Sequence, residues 1–77
     1  MHIRMIGDGH EVIGFALAGV EARACHTRPE LAAALEDAGH DPGVGIIMLS
    51  AGAAALDRDL VDRLRESSRL PVTIVLP

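Results

Sequence analysis

The sequence holds no lysine, one cysteine (Cys25) and one aromatic residue (Phe15). Each shortage excludes something. A single cysteine cannot close an intrachain disulfide, and a lone thiol suits a reducing compartment. One aromatic side chain cannot build a platform for stacked bases. The net charge of −4 opposes a phosphate backbone. The four histidines, His2, His10, His26 and His40, are scattered without the spacing of metal ligands. No apolar run approaches the roughly 18 residues needed to span a bilayer. Charged and polar residues between His2 and Glu11 stand where a secretory leader would be apolar. The expectation is a cytoplasmic protein with no nucleic-acid partner, no cofactor, no metal and no direct membrane insertion.

What is present is one domain of 77 residues. A chain this short buries little apolar surface alone and often leans on a staple or a partner. Without a disulfide or metal pattern, the partner is the staple to look for.

Strand and helix patterns alternate. Residues 2–6 read as a strand ending at Gly7. Residues 10–19 read as a helix with Val12, Phe15, Ala16 and Gly19 on one stripe, widened by Ile13 and Leu17. Gly14 inside this helix costs about 1 kcal/mol relative to alanine, which predicts close packing of helix on sheet there. Residues 20–25 alternate, as in a half-exposed edge strand. Thr27 and Glu30 form a capping box with Pro29 in the first turn, and Leu31, Leu35 and Ala38 line the helix that follows to Gly39. Residues 44–49, VGIIML, are apolar without alternation, the signature of a strand buried on both faces. A third helix is predicted from Ala53 to Ser68, with Leu56, Leu60, Val61 and Leu64 inward. Its acids Asp57 and Asp59 stand early and Arg63, Arg65 and Arg69 late, as the helix dipole favours. Val72–Leu76 form the last strand after Pro71.

The order βαβαβαβ implies an α/β fold with a parallel sheet, a short flavodoxin-like one in the strand order 2-1-3-4. Right-handed crossovers then put the first helix alone on one face and the other two on the opposite face. The first face stays uncovered beneath strands three and four. Exposed apolar surface of that kind marks an interaction site. The alternation of VTIVL does not tell which of its residues look outward.

Candidate chemistry is sparse. Gly7-Asp8-Gly9-His10 lies where flavodoxin-like sheets bind ligands, at a helix N-terminus suited to anions. Yet Val12 stands where GxGxxG needs its third glycine, and no Walker A motif is present. The simpler reading makes Asp8 a helix cap and the glycines a turn. Receiver-type phosphotransfer needs a carboxylate at the end of strand three and a lysine; Met48-Leu49-Ser50 and the absence of lysine exclude it. Cys25 and His26 are neighbours on a strand end and point apart. His10 and Glu11 read as first-turn polar residues, and Ser50 as a loop or cap serine.

The segment IGDGHEVIGFALAGV, residues 6–20, resembles the amino-terminal signature of the F subunit of V-type and A-type rotary ATPases, in which IGD precedes a short acidic stretch and then GF-x-LAGV. LPVTIVLP is similar to that family's proline-led fourth strand. The resemblance implies a non-catalytic rotor part on the central stalk, coupling ATP synthesis or hydrolysis to ion or proton transport. Its implied partners are the coiled-coil D subunit and the catalytic head, which makes it cytoplasmic but peripheral to a membrane complex. It departs from the family at Gly9, His10 and Glu11, and the family's C-terminal tail does not follow Pro77. Asp8, His10, Phe15, Thr73 and Val75 are the expected partner interface. Gly7, Gly14, Gly19, Thr27 and Glu30 are the expected turn and structural positions. The alternatives are a stand-alone interaction domain, dimerising through the open face of strand four, and a small anion-binding module at Gly7–His10.

Overall fold

Among the described residues, 1–67 and 70–77 of this computed structural model, the chain runs β1 (His2–Gly7), α1 (Gly9–Leu17), β2 (Glu21–Ala24), α2 (Arg28–His40), β3 (Val44–Leu49), α3 (Ala51–Leu56), α4 (Arg58–Glu66) and β4 (Val72–Val75). All strand pairs are parallel and the sheet order is β2-β1-β3-β4. This is the α/β arrangement that the alternating pattern predicts.

Side-chain chemistry at each helix end explains the boundaries. Asp8 accepts from the backbone N–H groups of His10 and Glu11 and starts α1. Gly19, at φ +85°, ends it. The Gly19 amide donates to the Ala16 carbonyl and the Val20 amide to the Phe15 carbonyl, a Schellman closure that favours glycine at the left-handed position. Thr27 accepts from the Glu30 amide, while Glu30 accepts from the His26 amide at 3.0 Å. The capping box therefore reaches one residue further back than the usual form. α2 continues one residue beyond Gly39, and His40 Nδ1 lies 2.8 Å from the Glu36 carbonyl.

The predicted third helix is two. Ser50 starts α3 by accepting from Ala53 N–H at 3.0 Å, two residues earlier than expected. Asp57 then leaves helical geometry (φ −157°, ψ 79°) and accepts from Leu60 N–H at 3.2 Å, capping α4. Aspartate prefers a cap to a helix interior, so the acid read as an early-turn charge is a break. The expected end at Ser68, and Arg69, lie outside the described residues.

The register divides the sheet into two faces. Arg4, Ile6, Ile47, Leu49, Thr73 and Val75 share the back. There Ile6, Ile47 and Leu49 join Leu31, Ala34, Leu35, Ala38, Ala53, Ala54 and Val61 in one buried cluster, with Leu56, Leu60, Leu64 and Val75 packed on it. Ile3, Met5, Ile46, Met48, Val72 and Ile74 share the front. α1 lies against β1 and β2 on that side, and Met5 is fully buried. β3 and β4 have no helix over them. Val72 is 66% exposed, Ile74 46% and Ile3 39%. The parity left open by VTIVL is thereby settled: Val72 and Ile74 look out, whereas Thr73 and Val75 point back toward α2–α4.

α1 differs from expectation. None of its residues is fully buried, and Ile13 and Leu17, read as inward, are 60% and 85% exposed. The helix crosses a short edge whose front is built of Ala22, Ala24 and Gly7, too shallow to enclose it. Gly14 is not a close-packing glycine, because a Cβ there would meet nothing within 4 Å. Gly7 is one: its Cβ would lie 3.1 Å from Met5 Cε and 3.2 Å from Ser50 Oγ.

Two substitutions test this packing in thermal or urea melts. Gly14→Ala should stabilise the domain by about 0.5–1 kcal/mol, since alanine fits the helix without a clash. Val75→Asp should cost about 2–5 kcal/mol, since it drives a carboxylate against the core.

Candidate functional site

The carboxyl ends of β1 and β3 bring together Asp8, Glu11, Ser50 and Gly52. Asp8 Oδ1 accepts from two α1 amides at 3.1 Å each, and Ser50 Oγ occupies the start of α3. Both helix N-termini at the switch point are thus filled by the chain's own side chains. A Cβ on Gly52 would lie 3.6 Å from Asp8 Oδ2 and 3.9 Å from Glu11 Oε1, so two carboxylates face the spot an anion would use. The amide of Glu11 holds the Asp8 carboxyl below the ordinary range. Asp8, hydrogen-bonded beside it, pushes the Glu11 carboxyl up. Acids in this arrangement repel phosphate.

The remaining candidates are also accounted for. Cys25 is 1% exposed, and burial pushes its thiol up, the opposite of an activated thiolate. His26 is exposed and sits by Gly9, whose Cβ would lie 3.6 Å from His26 Cε1. His10 is exposed, and Phe15 is half-buried on α1.

One cluster was hidden from sequence reading. His2, Glu21 and Asp41 converge with ligand atoms within 4.8 Å of one another. His2 Nε2 is 3.0 Å from Glu21 and Arg4 Nη2 is 2.8 Å from Asp41, while Arg4 also pairs with Glu21. The Arg4 guanidinium already neutralises both acids, so the cluster is an ion-pair network bridging β1, β2 and the β3 approach. Only the strand register, with Arg4 beside Glu21, brings its members together.

The other candidate is the front face. Ile3, Val72 and Ile74 expose apolar side chains on one sheet surface, and α1, which packs on β1 and β2, carries the exposed Ile13 and Leu17. Single exposed apolar residues are ordinary, but a contiguous patch signals contact with another macromolecule. Of the expected interface residues, Asp8 and His10 lie at the start of α1, Phe15 is half-buried, and Thr73 and Val75 belong to the back. The outward members of β4 are Val72 and Ile74. With Thr73 the one polar residue of VTIVL, and half-buried on the back, alternation in the sequence does not separate the two sets. Among the described residues, no helix is long and apolar enough to cross a membrane.

The sequence matches the family of the ATP synthase (F/14-kDa) subunit over residues 3–77. No curated protein matches it. Among solved structures, the F subunit of the V-type ATP synthase of Archaeoglobus fulgidus is similar, with a TM-score of 0.80 at 21% identity, covering 99% of this chain and 96% of that one. At that identity the likeness bears on the fold.

Acid titration probes the caps. Asp8, Glu30, Asp41 and Asp57 are each held below the ordinary carboxyl range, chiefly by a backbone N–H: those of Glu11, His26, Gly43 and Leu60 respectively. Depressed folded-state values mean stabilisation that is complete above the unfolded range, about pH 4–4.5, and lost as pH falls through the folded values. Thermal melts should show a flat Tm above pH 5–6 (approximate, from that range) and a falling Tm below about pH 4. Asp57→Ala should flatten part of that fall.

Proposed function

This chain belongs to the family of the ATP synthase (F/14-kDa) subunit, and we propose that it is a rotor component on the central stalk of a V-type/A-type complex, bound to the coiled-coil D subunit through its front face. In this role it couples ATP synthesis or hydrolysis to ion transport by transmitting torque within the stalk and the catalytic head. Members of this family are structural parts of the synthase and not enzymes. The capped helix starts, the buried thiol and the neutralised His2–Glu21–Asp41 cluster are in keeping with that.

The observation that carries the reading is the uncovered apolar front beneath β3 and β4. A coiled coil presents a long, ridged flank of side chains, and a flat, helix-free sheet flank beside α1 has the shape to take one. On the sheet side Ile3, Ile46, Met48, Val72 and Ile74 supply apolar area, while α1 supplies Ile13 and Leu17. Burial of such area stabilises a complex by roughly 25 cal/mol per Å² before the cost of association. The short core of this domain would gain a cover in the same step.

The test is co-expression with the coiled-coil D subunit of the same complex, followed by calorimetric titration of the purified parts. Val72→Asp puts a charge on the front of the edge strand β4 without touching the back core. It should weaken binding at least about tenfold, equivalent to about 1.4 kcal/mol, with the far-UV spectrum unchanged. A wild-type chain that ignores the coiled coil, or a Val72→Asp chain that binds it equally well, would contradict the reading.

A further inference from the structure

The two edges of the sheet are unlike. β2 carries Glu21 and Arg23, which pair with Arg4 and Asp37. Charged side chains blunt an edge against other strands. β4 carries no charge at all between Leu70 and Pro77. It is an uncharged edge strand of β-branched residues, the composition that invites pairing.

Its backbone parity is fixed by the neighbouring strand. Leu76 N–H donates to the Leu49 carbonyl at 2.8 Å, so Leu76, Ile74 and Val72 direct their backbone groups to β3. The alternate residues Thr73 and Val75 direct N–H and C=O to the free edge. Pro71 and Pro77 share that outward parity, and neither has an N–H to offer. The Pro71 carbonyl accepts from Thr73 Oγ1 at 2.9 Å. The free edge is therefore a window of two complete peptide donor–acceptor sets, bracketed by proline on both sides.

The segment Pro71-Val72-Thr73-Ile74-Val75-Leu76-Pro77 also has a rough symmetry about Ile74: its ends are both proline, Val72 is balanced by the apolar Leu76, and Thr73 by the β-branched Val75. We propose that two copies of this chain pair antiparallel through β4, about a two-fold axis passing through Ile74. In that register Thr73 of each copy faces Val75 of the other, and the two pairs exchange four backbone hydrogen bonds. Ile74 faces Ile74, Val72 faces Leu76, and proline faces proline, so the outward carbonyls of Thr73 and Val75 are not set against a residue that has no N–H to donate. A strand of ordinary sequence would place its own carbonyls opposite the two prolines and leave them without a donor. The uncharged edge brings no like charges together, although each chain carries a net charge of −4. Apolar cross-strand contacts between Ile74 and Ile74, and between Val72 and Leu76, add to the pairing on the front. The result is one continuous sheet through both copies. This inference concerns the strand edge, not the front face, and stands independently of the rotor reading.

The position facing itself across the axis supplies the test. Sedimentation equilibrium of the isolated wild-type chain should show a concentration-dependent approach to twice the 8.1 kDa chain mass. Ile74→Lys and Ile74→Glu, each folded by far-UV dichroism, should be monomeric alone because each sets like charges together. Mixed in equal amounts they should regain the dimer, since lysine then faces glutamate. Thr73→Pro removes an edge donor that β3 does not use, and should weaken association by roughly tenfold or more. A wild-type chain that stays monomeric up to about millimolar concentration, a range typical of weak association, would overturn the proposal. So would a dimer that Ile74→Lys or Thr73→Pro leaves unchanged, or a charge-swapped mixture no more associated than its components.

Discussion

Everything distinctive in this molecule depends on the handedness of its strand crossovers. β1 moves to β2 in one direction across the sheet, and the later strands move in the other. Right-handed connections then place α1 on the front and α2, α3 and α4 on the back. Among the described residues the back holds a closed core, while on the front α1 packs on β1 and β2 and Val72 and Ile74 keep an apolar flank exposed. That imbalance costs the chain free energy in isolation and is recovered when another surface arrives.

The electrostatics serve rigidity. Asp8, Thr27, Ser50 and Asp57 cap the four helices through side-chain acceptors, each satisfying backbone amides that would otherwise be free. Among the described residues, no buried side-chain polar atom lacks a hydrogen-bond partner. The same groups that could suggest chemistry are therefore engaged in holding the shape. A rigid domain of this kind suits the proposed part in the stalk.

Much of this was legible in the sequence, for identifiable reasons. VGIIML marks a central strand, and β3 does lie between β1 and β4. The burial on both faces that its apolar run predicts is met only behind, where Ile47 and Leu49 are buried; Ile46 and Met48 on the uncovered front are half-buried. Thr27-x-x-Glu30 marks a helix start because the cap is local chemistry. The open front follows from element order and chirality alone. Other features needed coordinates. The helix break at Asp57 depends on a competition between continuing a helix and capping a new one, which the apolar spacing of Leu56, Leu60 and Leu64 conceals. Gly14 reads as a packing glycine until the shallow front of Ala22 and Ala24 is seen beneath α1. The inward placement of Thr73 and Val75 is set by the β3 register, and every residue of VTIVL but Thr73 is equally apolar. The Arg4–Glu21–Asp41 network joins residues far apart in sequence and appears only when strands align.

The isoleucines offer the most direct test of the central claim, that the front of the sheet is where the coiled-coil D subunit lies. Ile3, Ile46 and Ile74 stand on the front, and Ile6 and Ile47 on the back. In methyl-labelled chain bound to unlabelled D subunit, cross-saturation from the partner should attenuate the Ile3, Ile46 and Ile74 methyl signals and leave Ile6 and Ile47 unaffected. Attenuation confined to the α2–α4 side, with the three front methyls silent, would contradict the account.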